Sequence, residues 1–97
     1  MNNIYKKLQQ EKEKILEITS RHGALNVRVF GSVSRGEADE NSDLDLLVDL
    51  DKNLSPWFPV GLINELESFL GIKVDVVTVN GLKNRIKEAV LREAKPL

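Results

Sequence analysis

Two aspartates at alternate positions, Asp43 and Asp45, are the residues of this chain best suited to chemistry. On an extended strand, alternate residues project from one face and lie roughly 6.5–7 Å apart at the backbone. Two such carboxylates can converge on one divalent cation, or on a pair of cations about 3.5–4 Å apart. Hard oxygen ligands favour Mg2+, with Mn2+ as the nearest alternative, over softer metals. The competing reading is a solvated strand face, which is the commoner fate of an isolated Asp-x-Asp. A third acid, Asp75, stands inside the apolar run Lys73-Val74-Asp75-Val76-Val77. A carboxylate there needs water, a base or a metal. Lys73 or a neighbouring base could satisfy it. If its strand lies beside that of Asp43 and Asp45, it could instead serve as a metal ligand or accept a proton.

Upstream of the aspartate pair, Gly31-Ser32 follows a short apolar segment and precedes a polar one. Glycine lets a ligand approach the backbone closely. Free N–H groups at the start of a helical turn, together with a serine hydroxyl, suit a phosphate. A plain strand-to-turn junction explains the same two residues equally well. Arg35, three residues beyond Ser32, could bind phosphate oxygens from the same turn, or could simply be solvated.

The elements that must position these groups follow from periodicity. Residues 2–22 place Ile4, Leu8, Ile15 and Ile18 on one helical face, with the stripe interrupted at Glu11 and Lys12. One helix ending near Arg21-His22, with Gly23 as its stop, is expected. Leu25–Phe30 reads as a strand with Val27 and Val29 on one face, and residues 33–42 as a short helical turn and loop. From Asp43 to Asp49 the chain alternates: Asp43, Asp45, Leu47 and Asp49 share one face, and Leu44, Leu46 and Val48 the other. Ser55-Pro56 suits a helix start, which Pro59 could delay; Phe58, Leu62, Leu66, Phe69 and Leu70 form its stripe and Gly71 its end. A third strand over Ile72–Val79 and a last helix carrying Leu82, Ile86, Ala89 and Val90, closed by Pro96, complete the pattern. The expected architecture is α/β or α+β, with a small mixed sheet of about three or four strands and helices packed on it.

The length of 97 residues suits a single domain spanning 1–97. A net charge of -1 argues against general affinity for nucleic acid or anionic membranes, while leaving room for a local basic pocket. The chain has no cysteine, which excludes disulfides and thiolate chemistry, and only one histidine, His22, which makes a zinc site improbable. No apolar run is long enough for a signal sequence or membrane span, so a soluble, cytoplasmic protein is expected. Lys83, Arg85 and Lys87 read as solvated helix charges, any of which could reach a phosphate or an acidic partner.

Taken together, Gly31-Ser32, ten intervening residues and Asp43-Leu44-Asp45 resemble the motif of the DNA polymerase β-like nucleotidyltransferase superfamily. The strings Gly31-Ser-Val-Ser-Arg-Gly-Glu-Ala38 and Ser42-Asp-Leu-Asp-Leu-Leu-Val48 are similar to the minimal nucleotidyltransferase family, whose members are commonly antitoxins of HEPN toxin–antitoxin pairs. The resemblance covers nearly the whole chain. It implies Mg2+-dependent transfer of AMP from ATP, with Asp43, Asp45 and Asp75 as catalytic metal-site acids and Gly31, Ser32 and Arg35 as nucleotide-binding residues. It also implies a HEPN ribonuclease toxin as partner, modified on a tyrosine. Two alternatives stand beside it. One is a non-catalytic antitoxin acting by contact, with Trp57 and Phe58 as interface anchors or as core. The other is transfer to a small molecule, for which a chain of this size offers little acceptor-binding surface.

Overall fold

A computed structural model describes residues 4–37 and 43–97. In chain order the elements are α1 (Ile4–Gln10), α2 (Lys12–Arg21), β1 (Ala24–Phe30), β2 (Leu44–Leu50), α3 (Val60–Leu70), β3 (Val74–Thr78), a 3-10 turn (Val79–Gly81), α4 (Asn84–Glu93) and β4 (Lys95–Pro96). Four strands form one mixed sheet in the order β3-β2-β1-β4. β2 is antiparallel to β1 and parallel to β3, and β4 is antiparallel to β1.

The alternation of β2 explains why it lies inside the sheet. Leu44, Leu46 and Val48 are fully buried and pack into one apolar cluster with Val29, Val74 and Val76. Ile15 and Ile18 of α2 and Leu62, Leu66 and Leu70 of α3 cover that face. Each such leucine or isoleucine contributes about 1.5–3 kcal/mol on burial. The opposite face carries Asp45 and Asp49, but it is not uniformly polar, because Leu47 between them is also fully buried. The parallel β2–β3 pairing requires a crossover, and α3 provides it.

Several elements depart from the sequence expectation. The expected single first helix is two, because Glu11 adopts φ -100 and ψ 13. The backbone bonds nevertheless run through the break, with Glu11 N–H donating to Lys7 O and Ile15 N–H to Glu11 O. Ser55 caps no helix: α3 starts at Val60 after Pro59, and the Ser55 hydroxyl faces His22 Nδ1 at 2.7 Å. The last helix begins at Asn84, after Leu82, and none of its residues is buried, so its apolar stripe is not core. Pro96 does not merely end that helix. It lies in β4, a two-residue strand paired with Arg28 and Val29. β1 also contains a bulge. Between Leu25 and Arg28 it has one more residue than β2 has opposite, and Asn26 takes φ 52 there. Gly23 and Gly71, at the ends of α2 and α3, both have positive φ, as expected of helix stops.

Candidate functional site

The parallel register of β2 and β3 sets Asp45 directly opposite Asp75. Neighbouring strands lie about 4.8 Å apart, so two carboxylates projecting from one face at that spacing repel each other. Asp45 is half-buried, and its pKa is raised, first by that burial and then by the charges of Asp75 and Asp43. Asp43 immediately precedes β2 and is exposed, as is Asp75. Among the described residues, none of the three side chains makes a hydrogen bond or ion pair. Asp49, on the same face of β2, contrasts with them. It accepts hydrogen bonds from Asn26 Nδ2 (3.0 Å) and Arg28 Nη2 (3.1 Å), which hold its pKa low. The acid row therefore divides into a neutralised Asp49 and an unneutralised trio around Asp45.

Like charges left uncompensated on adjacent strands suit a divalent cation, and the all-oxygen donor set suits Mg2+ or Mn2+. Among the described residues, no group of three or more His, Asp or Glu side chains stands close enough to form a finished metal cage. The donors nearest to one are the facing pair Asp45 and Asp75, with Asp43 on the rim.

Gly31 lies directly against this pair. It has φ +75, and a Cβ at this position would collide with Asp45 Oδ2. The positive φ favours glycine at this turn, and any side chain here would displace the Asp45 carboxylate. The backbone from Gly31 to Glu37 is folded by three bonds: Arg35 N–H to Gly31 O (3.2 Å), Gly36 N–H to Val33 O (3.2 Å) and Glu37 N–H to Ser32 O (2.9 Å). The Ser32 and Val33 amides and the Ser32 hydroxyl make no hydrogen bond among the described residues. They are spare donors at the turn. The loop over residues 38–42, which joins the turn to Asp43, lies outside the described residues.

Two positions differ from the expectation. The Gly31 N–H is not spare, because it donates to Glu93 Oε2 at 2.8 Å. Arg35 does not extend freely toward a ligand. Its Nη1 donates to Glu93 Oε1 and its Nε to Glu37 Oε1, each at 2.6 Å. Both carboxylates raise the guanidinium pKa. In return, Arg35 first and the Gly31 N–H second hold the Glu93 carboxyl below its ordinary value. Glu93 went unnoticed in the sequence. It lies 62 positions from Gly31 and carries no motif.

Beside the acids opens a cleft of about 450 Å3, lined by Phe30, Asp45, Asp75, Val77 and residues of α4 and the segment preceding it. Leu82, Ile86 and Val90 give that wall an apolar surface, and Lys83 and Arg85 give it positive charge. The exposed side of α4 therefore has a use. Its stripe faces a cleft that ends on two carboxylates.

The nucleotidyltransferase domain model matches residues 11–97. The chain is 44% identical over 77 residues to the protein adenylyltransferase MntA of Thermococcus cleftensis, covering 79% of this chain and 78% of the relative. It is 39% identical over 87 residues to a candidate protein adenylyltransferase of Methanocaldococcus jannaschii, covering 90% and 94%. Among solved structures, a candidate minimal nucleotidyltransferase superposes with a TM-score of 0.83 at 49% identity, covering 95% of this chain and 94% of the other. A toxin–antitoxin structure with AMP-PNP superposes with a TM-score of 0.73 at 25% identity, covering 88% and 70%. The chain belongs to the nucleotidyltransferase domain family, among its minimal members.

Proposed function

We propose that this protein is a protein adenylyltransferase that transfers AMP from ATP to a hydroxyl of a partner toxin and thereby neutralises it. The observation that carries this reading is the facing pair Asp45 and Asp75 beside the Gly31-Ser32 turn. The similarity to proteins named adenylyltransferases and to a toxin–antitoxin structure with AMP-PNP supports the choice of donor and partner. A HEPN ribonuclease, modified on a tyrosine, is the partner this family relationship favours. The cytoplasm is the setting this reading implies. No helix among the described residues is long and apolar enough to cross a membrane.

In the proposed reaction, the acceptor oxygen forms a bond to the α-phosphorus of ATP. The bond from that phosphorus to the bridging oxygen breaks, and pyrophosphate leaves with the electron pair. The hydroxyl proton passes to a carboxylate. Asp75, exposed and opposite Asp45, is the acid best placed to receive it. Asp43, Asp45 and Asp75 would hold Mg2+, which when bound supplies positive charge to the phosphates and lowers the acceptor pKa. The spare Ser32 and Val33 amides and the Ser32 hydroxyl would hold the terminal phosphates. Lys83 and Arg85 add positive charge along the cleft, and Val77, Ile86 and Val90 offer an apolar wall to the base.

The test is direct. The protein, Mg2+, ATP and the toxin encoded beside it are combined, and the intact mass of the toxin is measured. The expected result is an adenylyl adduct that is absent with Asp43→Asn or Asp45→Asn. An unmodified toxin that is neutralised equally well by both variants would replace catalysis with inhibition by contact.

A further inference from the structure

Glu93 ends α4, and its carboxylate spans two groups of the Gly31–Arg35 turn. Oε2 accepts from the Gly31 N–H at 2.8 Å, and Oε1 accepts from Arg35 Nη1 at 2.6 Å. The Ser34 hydroxyl donates to Gly31 O at 3.2 Å and lies 3.5 Å from the Glu93 carbonyl oxygen. Ser34 is buried and the Glu93 side chain is 26% exposed, whereas Arg35, at 47%, faces water. The junction is also anchored from behind. β4 pairs with Arg28 and Val29, and Leu97, itself buried, donates its N–H to Val27 O. The chain on the far side of Glu93 is thus fixed to the strand that leads into Gly31.

We propose that Glu93 is a positioning residue for nucleotide binding: its carboxylate clamps the Gly31 N–H and Arg35, and so orients the Ser32 and Val33 amides toward the triphosphate. The proposal rests on the reading of that turn as the phosphate site. A carboxylate beside a polyanion needs a reason, and the pairing supplies it. Arg35, shared with Glu37, offsets part of the Glu93 charge, and both Glu93 oxygens are engaged by donors. Arg35 then acts mainly through the clamp, because its Nε and Nη1 are already committed to Glu37 and Glu93. Charge-assisted hydrogen bonds of this kind are about twice as strong as neutral ones.

Calorimetry with Mg2+ and AMP-PNP tests the clamp without turnover, alongside the KM for ATP, kcat and the Gly31 amide proton shift by NMR. Glu93→Ala is expected to weaken AMP-PNP about tenfold and to raise the KM far more than it lowers kcat. It should also move the Gly31 amide resonance upfield. Glu93→Gln, which still offers an oxygen to Gly31 but turns an amide donor toward Arg35, should recover only part of the affinity. Unchanged affinity in Glu93→Ala overturns the proposal, as does tighter binding, which would make the carboxylate a competitor of the phosphates. Equal losses in Ala and Gln variants, matched by equal falls in Tm, would reduce Glu93 to a structural tie and overturn it too. If Glu93→Ala does not fold, Glu93→Asp, which keeps the charge but is too short to span both donors, replaces it with the same outcomes. A wild-type protein that binds AMP-PNP yet modifies no toxin would refute the proposed function and leave the clamp standing.

Discussion

At the scale of single residues, the site stores a conflict. Asp45 is half-buried opposite Asp75, and its pKa is raised by burial first and like charge second. An acid whose folded pKa exceeds its unfolded value binds its proton more tightly in the native state. Its ionisation therefore costs stability, and that cost develops as pH rises from about 3.8 through the raised pKa. Above that raised pKa the metal-free protein bears it in full. Asp45→Asn should accordingly raise Tm at pH 7 without Mg2+, with the gain vanishing in acid, while adenylyl transfer falls on the order of a hundredfold or more. Thermal melts across pH and a transfer assay check both halves, and a lower Tm at pH 7 would show that Asp45 is stabilised in a way its surroundings do not explain. Gly31→Ala should fail differently. The collision with Asp45 Oδ2 and the positive φ together cost about 1–3 kcal/mol, read as a fall in Tm. The spacing from Gly31-Ser32 to Asp43 and Asp45 was legible because strand alternation and a glycine turn are local. Glu93 was not, because a carboxylate at a helix end acquires meaning only from what a distant turn brings to it.

At the scale of elements, periodicity located the helical segments and the three longer strands, but it merged α1 with α2 and misjudged several ends, where side chains had other partners. Ser55 is the clearest case. A serine before a proline suits an N-cap, but its hydroxyl is taken by His22, which also contacts Glu65 Oε1 at 2.8 Å. Arg21 pairs with the same carboxylate, so α2, α3 and the Ser55 loop meet at Glu65. Arg21 first and His22 second lower the Glu65 pKa to about 2. A depressed acid contributes stability above its unfolded pKa, near 4.5, and loses it as pH falls toward about 2. Glu65→Gln should flatten the decline of Tm across that acid window. An identical acid limb in the variant would show that the latch contributes nothing. The sequence also left Trp57 and Phe58 open as core or interface. The structure separates them: Trp57 is 86% exposed, whereas Phe58 packs against the apolar cluster. Trp57→Ala should change stability by no more than about 0.5 kcal/mol, and Phe58→Ala should cost clearly more.

At the scale of the whole molecule, the order of strands determines what the individual motifs can do. Placing β3 beside β2 brings Asp75 to Asp45 across 30 positions of sequence, and placing β4 on the other side of β1 brings the end of the chain to the Gly31 turn. Neither neighbour could be read from periodicity, which reports which face of a strand is apolar but not which strand lies next to it. β4 was the harder to foresee, since two residues ending in proline carry no strand pattern at all. Its importance lies in Leu97, which is 6% exposed, belongs to the apolar cluster and donates its N–H to Val27 O. Leu97→Ala should therefore act on two readouts at once. Loss of a buried leucine side chain costs about 2–5 kcal/mol, seen as a lower urea midpoint. Loosening the segment that carries Glu93 should also weaken AMP-PNP binding at temperatures where the variant is still fully folded. A variant that loses stability but binds the nucleotide with unchanged affinity would show that the chain end supports the sheet alone, and that α4 holds Glu93 in place without it.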